Sequence, residues 1–157
     1  MIRLASLADA SDIAKIWNHA IRYTTITFNP VEKTVSEIVN LITFDMPCLV
    51  FTEGSKVLGF ARYSQFRDGD GYRFTVEHTI MLHADAHGQG AGRALMDALC
   101  QIAKDAGKHS IYAGISGENP KAVNFHVKMG FTIAAVLPEA GYKFGRWLDL
   151  VLMQKRL

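Results

Sequence analysis

The stretch Val76–Leu99 reads V-E-H-T-I-M-L-H-A-D-A-H-G-Q-G-A-G-R-A-L-M-D-A-L, and its three parts decide the fold. Tyr72 to Leu82 is rich in aromatic and β-branched residues, the composition of a strand. Gly88, Gly90 and Gly92 break that pattern. Beyond them Leu95, Leu99, Ile102 and Ala106 recur at helical spacing, with Arg93, Asp97, Lys104 and Asp105 off the stripe. A glycine-rich turn at a helix start lets the backbone approach a ligand and points several N–H groups at it. Those donors and the positive end of the helix dipole suit a phosphate. The spacing narrows the choice. A dinucleotide fingerprint fails because Arg93 or Leu95 stands where a third glycine or alanine is required, and no G-K-[ST] opens the helix as a Walker loop demands. What remains is a strand, then x-x-G-x-G, then a helix; the alternative is a turn that only connects the two.

Length and composition bound the rest. A chain of 157 residues is sized for one domain with a continuous core. Apolar residues make up 49% and charged residues 20%, ordinary for a soluble globular protein. A net charge of +2, with no basic run, argues against nucleic acid or an anionic membrane as partner. The N-terminal M-I-R-L-A-S-L-A-D carries an acidic residue early and no long apolar run, so no signal peptide is expected. No segment approaches the roughly 20 apolar residues of a membrane span. Cys48 and Cys100 fall in strand-like and helix-like apolar runs and read as buried thiols, which makes the cytoplasm the default compartment.

In chain order, Ile2 to Ala5 reads as a short strand. Asp9 or Ser11 can cap a helix with Ile13, Ile16, Trp17, Ala20 and Ile21 on one face. Thr24 to Pro30 is a loop, and Thr34-x-x-Glu37 is a capping-box pattern opening a second helix that Pro47 closes. Cys48 to Thr52 and Val57 to Tyr63 form a hairpin, followed by the polar turn Gln65 to Gly71. After the central helix, Ser110 to Ile115 is a strand, Asn119 an N-cap with Pro120 at the first helical position, and Gly130 a helix stop. Phe131 to Leu137 and Trp147 to Met153 make a last strand pair joined by a longer loop. The fold class expected is α/β, a single domain over residues 1–157.

The turn x-x-G-x-G before a helix resembles the pyrophosphate loop of the GCN5-related N-acetyltransferases. Three further stretches carry a closer likeness: R-x-x-x-G-x-R-x-T-V-E-H from Arg67 to His78, N-P-K-A-V-N-F-H-V-K-M-G-F from Asn119 to Phe131, and G-Y-K-F-G-R-W-L-D-L-V-L-M-Q from Gly141 to Gln154. Together these are similar to the phosphinothricin and methionine-sulfoximine N-acetyltransferase family, over nearly the whole chain. The resemblance implies a mixed, mostly antiparallel sheet flanked by helices, acetyl-CoA as cofactor, and transfer of its acetyl group to the α-amine of a small amino-acid-like substrate. It also implies a homodimer. The chain departs from the family pattern at His87, where Gln or Arg is usual, and at Asp68 and Gly69, where Pro-Phe is frequent.

Glu77 is the first candidate for chemistry. With regular alternation it shares a polar strand face with Arg73, Thr75 and Thr79, although a central strand under helices normally reads apolar on both faces. An α-ammonium must lose a proton before it can attack a thioester, and a carboxylate in a cleft can accept it, directly or through water. The other reading pairs Glu77 with Arg73. The family would imply a bulge in this strand, which would shift the register. In many acetyltransferases a tyrosine stands where this chain has His126, and the resemblance makes His126 a proton relay, a substrate contact or a packed residue. His78 falls on the apolar face as a core or substrate-shaping residue.

By the same resemblance, the backbone of Ile80, Met81 and Leu82 pairs with the pantetheine arm, and Gly88, Gln89, Gly90, Ala91, Gly92 and Arg93 hold the pyrophosphate. Asn119 contacts the arm. Arg67 and Arg73 have the guanidinium geometry for a substrate carboxylate, and are otherwise surface arginines. Phe28, Asp68, Gly69, His78 and Thr79 complete the expected substrate side. No metal is expected, since His78, His83 and His87 lack ligand spacing. Two other functions stay open: an acetyltransferase of peptide or protein N-termini, and a non-catalytic acyl-CoA-binding module.

Overall fold

The computed structural model describes residues 1–44 and 46–157. Strand β1 (Ile2–Leu4) leads through a 3-10 turn into α1 (Ala10–Tyr23) and α2 (Val35–Phe44). Strands β2 (Cys48–Glu53), β3 (Lys56–Gln65) and β4 (Thr75–Leu82) follow, then α3 (Ala91–Asp105), β5 (Ser110–Ser116), α4 (Pro120–Lys128), β6 (Thr132–Lys143) and β7 (Arg146–Arg156). The seven strands make one mixed sheet in the order β1-β2-β3-β4-β5-β7-β6, in which only β4 and β5 run parallel.

Local sequence signals explain most of these boundaries. In the capping box, the Thr34 N–H donates to Glu37 Oε2 (2.6 Å) and the Glu37 N–H to Thr34 Oγ1 (3.1 Å). Asn119 caps α4, its Oδ1 accepting from the Ala122 N–H at 3.1 Å, with Pro120 at the first position. Asp9 does not cap α1. Its carboxylate turns back to the Ser6 N–H and forms a two-point pair with Arg3, at 2.7 and 2.8 Å. That guanidinium holds the Asp9 carboxyl well below the usual carboxylate range.

Each sheet face buries one helix pair. The Ile13, Ile16, Trp17, Ala20 and Ile21 stripe of α1 packs with Ile38 of α2 over Val50, Phe60 and Met81. On the other face Leu95, Met96, Leu99 and Ala103 of α3 cover Ala61, Val76, Ile111 and Ala113. Cys48 and Cys100 are both buried free thiols.

Two expectations need correcting. Strand β4 begins at Thr75 rather than Tyr72, because Gly69 at φ +104° turns the chain into a short 3-10 turn over Asp70–Tyr72. The last hairpin has no long loop. The strand expected to end at Leu137 instead passes through a register shift between Leu137 and Gly141 and continues to Lys143. As an edge strand it can carry a proline and a kink. A tight turn at Phe144 and Gly145 then leads into β7.

Candidate active site

The parallel pair β4–β5 is short. Its register runs from Thr75 opposite Ser110 to His78 opposite Ala113 and stops there. Strand β4 continues to Leu82 beside β3, and β5 continues to Ser116 beside β7, so the sheet splits between them. Thr79–Leu82 thereby lose their neighbour on the β5 side, which leaves backbone N–H and C=O groups for a ligand. A cavity of about 790 Å³ occupies the split. Thr79, Ile80, Met81 and Leu82 line one wall and Gly114, Ile115 and Ser116 another. Trp17 and Phe28 close it on the α1 side of the sheet, and Phe125 and His126 on the α4 side.

Glu77 lines this cavity, half-buried, just before the strands part. Its register with β3 is unbroken from Gly59 opposite Leu82 to Gln65 opposite Val76, so β4 carries no bulge. The carboxylate lies over Gly114 of β5, where a Cβ would stand 2.7 Å from Oε1. Gly114 is therefore the residue that gives Glu77 its place, and nothing in a single sequence marks it. The alternative pairing with Arg73 does not occur: Arg73 pairs with Asp70 at 3.1 Å and its guanidinium lies over the Phe74 ring. Burial pushes the Glu77 carboxyl above its ordinary pKa.

His78 and His126 are both buried and stacked, with Nε2 atoms 3.0 Å apart. His126 Nδ1 lies 2.7 Å from the Ala122 carbonyl and so carries a proton. In the neutral pair His126 Nε2 accepts, His78 Nε2 donates, and His78 Nδ1 is left as a buried acceptor without a partner. Burial lowers the pKa of both rings, which keeps the pair neutral. Both ring nitrogens of His126 are engaged, one by the Ala122 carbonyl and one by His78.

The glycine turn closes one end of the cavity, between His87 and Gly92, which both line it. Gly88 and Gly90 have φ of +78° and +76°, and an added Cβ at either would meet nothing within 4 Å, so the space before the turn is open. Gly92 instead packs closely, its Cβ position 3.5 Å from Leu82 and Phe125 side chains. The first backbone bond into α3 is from the Ala94 N–H to the Gly90 carbonyl, leaving the N–H groups of Ala91, Gly92 and Arg93 to a ligand. Gln89 folds back to donate to the Asp85 carbonyl at 2.7 Å and shapes the turn. Asn119 spends Oδ1 on its cap, which leaves Nδ2 as the donor toward the cavity it lines. An unpaired strand edge, an N–H cradle at a helix start and an amide donor beside them fit an extended ligand ending in a pyrophosphate.

Not every expected residue joins the site. Arg67, Asp68, Gly69 and Arg73 are exposed on the β3–β4 connection and do not line the cavity. There Gln65 Nε2 donates to the carbonyls of Arg67 (2.7 Å) and Gly69 (2.8 Å), fixing the loop against the sheet end. Ile26, Thr27, Ser64, Lys121 and Leu150 line the cavity without having been singled out. Among the described residues no group of three or more His, Cys, Asp or Glu could hold a metal, and no helix is long and apolar enough to cross a membrane.

The model of the acetyltransferase (GNAT) family matches residues 13–131. The chain is 41% identical to the L-amino acid N-acyltransferase MnaT of Escherichia coli, covering 99% of this chain and 93% of that protein. It is 39% identical to an L-methionine sulfoximine/L-methionine sulfone acetyltransferase of Salmonella typhimurium (99% and 94% covered) and 32% identical to a phosphinothricin N-acetyltransferase of Alcaligenes faecalis (99% and 82%). Among solved structures, yncA of Salmonella typhimurium with its cofactor acetyl-CoA superposes with a TM-score of 0.95 at 37% identity, covering 100% of this chain and 93% of that one. A ribosomal-protein-alanine N-acetyltransferase from Brucella melitensis gives 0.95 at 33% identity (100% and 99% covered).

Proposed function

The chain belongs to the acetyltransferase (GNAT) family, and from that premise we propose that it acetylates the α-amine of a small amino acid of the methionine sulfone, methionine sulfoximine or phosphinothricin type. The observation that carries this reading is Glu77, a half-buried carboxylate with no hydrogen-bond or ion-pair partner among the described residues, standing where the sheet opens. Acetyl-CoA supplies an acetyl group activated as a thioester. The turn Gly88–Arg93 and the start of α3 hold its pyrophosphate, the free edge of Ile80–Leu82 and Asn119 align its arm, and a strand N–H polarises the thioester carbonyl. Glu77 takes the proton from the substrate ammonium, directly or through water, and its raised pKa makes it a better acceptor than an ordinary carboxylate. His126 and His78 serve as the packed wall beside it. Phe28 and Thr79 shape the acceptor space.

We place the enzyme in the cytoplasm, consistent with two buried free thiols. We propose a homodimer as well, since Ile133, Val136, Leu137 and Trp147 expose apolar surface along the β6–β7 edge of the sheet. A second substrate reading rests on the likeness to the ribosomal-protein-alanine enzyme. One assay separates the readings: release of CoA thiol from acetyl-CoA in the presence of methionine sulfone, methionine sulfoximine, phosphinothricin or a peptide with N-terminal alanine. Turnover of the amino acids and not the peptide is expected. Peptide-only turnover supports the second reading, and acetyl-CoA binding without any turnover a non-catalytic module.

A further inference from the structure

The chain's most distinctive motif, Gly141 to Gln154, contributes only Leu150 to the cavity, so the rest of it is unexplained by the reaction. Its contacts supply a reason. Lys143 is buried, 3% exposed, and its Nζ donates to the carbonyls of Thr24 (2.7 Å) and Thr27 (2.8 Å) in the α1–α2 loop. The ammonium also lies 5.0 Å from the centre of the Phe144 ring. Among the described residues no carboxylate pairs with it; loop carbonyls hold the charge instead, and burial lowers the Lys143 pKa. The same loop sends Ile26, Thr27 and Phe28 to the cavity wall.

Gly141 stands one alternation before Lys143 on β6 and meets the loop from the same side. A Cβ there would lie 2.3 to 2.8 Å from three atoms of the Phe28 ring, so the ring sits flat against bare backbone. A third tie closes the circuit. Glu118, beside the α4 N-cap, accepts from Thr25 Oγ1 at 3.1 Å and pairs through both oxygens with Arg146 of β7. The loop is thus held by the β6–β7 hairpin directly and through Glu118.

We infer that Lys143 is a positioning residue for the acceptor: it fixes the 24–28 loop so that Phe28, seated on Gly141, presents a set wall to the amino-acid substrate. This deepens the acetyltransfer reading and rests on it. The connection between α1 and α2, residues 24–34, has no ladder of its own, and burying an ammonium against its carbonyls replaces that ladder with two charge-assisted hydrogen bonds. Lys143 touches no reacting atom. Its removal therefore affects how well the acceptor is held, and leaves the cofactor turn, on other elements, untouched.

Two variants and two measurements test this. Lys143→Met keeps the stem and removes the ammonium; Gly141→Ala keeps Lys143 and displaces the Phe28 ring. Each should raise the acceptor KM about tenfold or more, with kcat within about threefold and the acetyl-CoA Kd, by calorimetry, within about twofold. Hydrogen exchange should show the amides of residues 24–28 deprotected in Lys143→Met while those of α3 stay protected. An unchanged acceptor KM in Gly141→Ala, or loop amides as protected in a folded Lys143→Met as in the wild type, would overturn the inference. So would an acetyl-CoA Kd that moves in step with the acceptor KM. If Lys143→Met does not fold, Gly141→Ala alone decides. If the wild type acetylates nothing, the activity reading fails, and the exchange experiment still decides whether Lys143 holds the loop.

Discussion

Gly114→Ala isolates the placement of Glu77 from its chemistry. The added Cβ would lie 2.7 Å from Glu77 Oε1 and an ordinary 3.5 Å from Leu150 Cδ1, so the carboxylate alone must give way. Reaching normal contact near 3.4 Å moves it roughly 0.7 Å. The backbone at Gly114 has no positive φ, so alanine fits the strand and loses less entropy on folding than glycine. Stability should hold or rise. A misplacement of about 1 Å at a reacting group can cost about a hundredfold in rate, so kcat/KM should fall about 10- to 100-fold, or about 1.4–2.7 kcal/mol of transition-state stabilisation. The assay is CoA release with methionine sulfone, accompanied by calorimetry of acetyl-CoA, whose affinity should not change. A double-mutant cycle with Glu77→Gln sharpens the test: once Glu77 is disabled, Gly114→Ala should cost little more. A kcat/KM within twofold of wild type, or fully additive losses in the cycle, would refute the claim that this carboxylate's position matters.

Other expectations follow from separate parts of the structure. Gly90→Val puts a β-branched residue at φ +76° and should weaken acetyl-CoA binding at least about tenfold, about 1.4 kcal/mol, in a protein that still folds; unchanged affinity by calorimetry would remove the turn from the cofactor site. Because burial raises the Glu77 pKa, the native state favours the protonated form, and stability is lost as pH rises through that raised value. Glu77→Gln should therefore melt above wild type at pH 7, with the gap closing below about pH 4.3, and a lower Tm at pH 7 would mean the carboxylate is paired in solution. The Arg3–Asp9 pair works in the opposite sense: its stability is present above the ordinary Asp pKa and lost as pH falls, so Asp9→Asn should lower Tm at pH 7 and matter least in strong acid. Sedimentation at micromolar concentration should show a species of twice 17.4 kDa, and a monomer alone would contradict the proposed dimer.

Much of this was legible because local and global signals agree. The α1 stripe, the Thr34–Glu37 box, the Asn119–Pro120 helix start and the glycine turn are short-range patterns, and each holds in the fold. The polar face of β4 is legible in the sequence, and Glu77 stands on it. What the sequence left hidden depends on contacts between distant segments. Gly114 reads as an unremarkable strand glycine until Glu77 is seen above it, and Lys143 as a surface lysine until the 24–28 loop is found on it. The surroundings of Arg67 and Arg73 were hidden for the same reason: both sit beside the decisive strand in sequence, and Gly69 at positive φ turns their loop outward. The longer loop expected between Leu137 and Trp147 is absent because β6 lies at the sheet edge, where a strand can carry Pro138 and a register shift without ending, and a single sequence does not say which strand lies at an edge.

The proposed reaction turns on Glu77 taking the proton from an amino-acid ammonium so that acetyl transfer can proceed. The most direct measurement is kcat/KM for methionine sulfone across pH 6 to 9, for wild type and Glu77→Gln. A loss of about 10²–10⁴-fold is expected in the variant near neutral pH, with acetyl-CoA affinity unchanged and partial recovery as pH rises and more of the amine is already neutral. A Glu77→Gln enzyme with near wild-type kcat/KM over that whole range would contradict it.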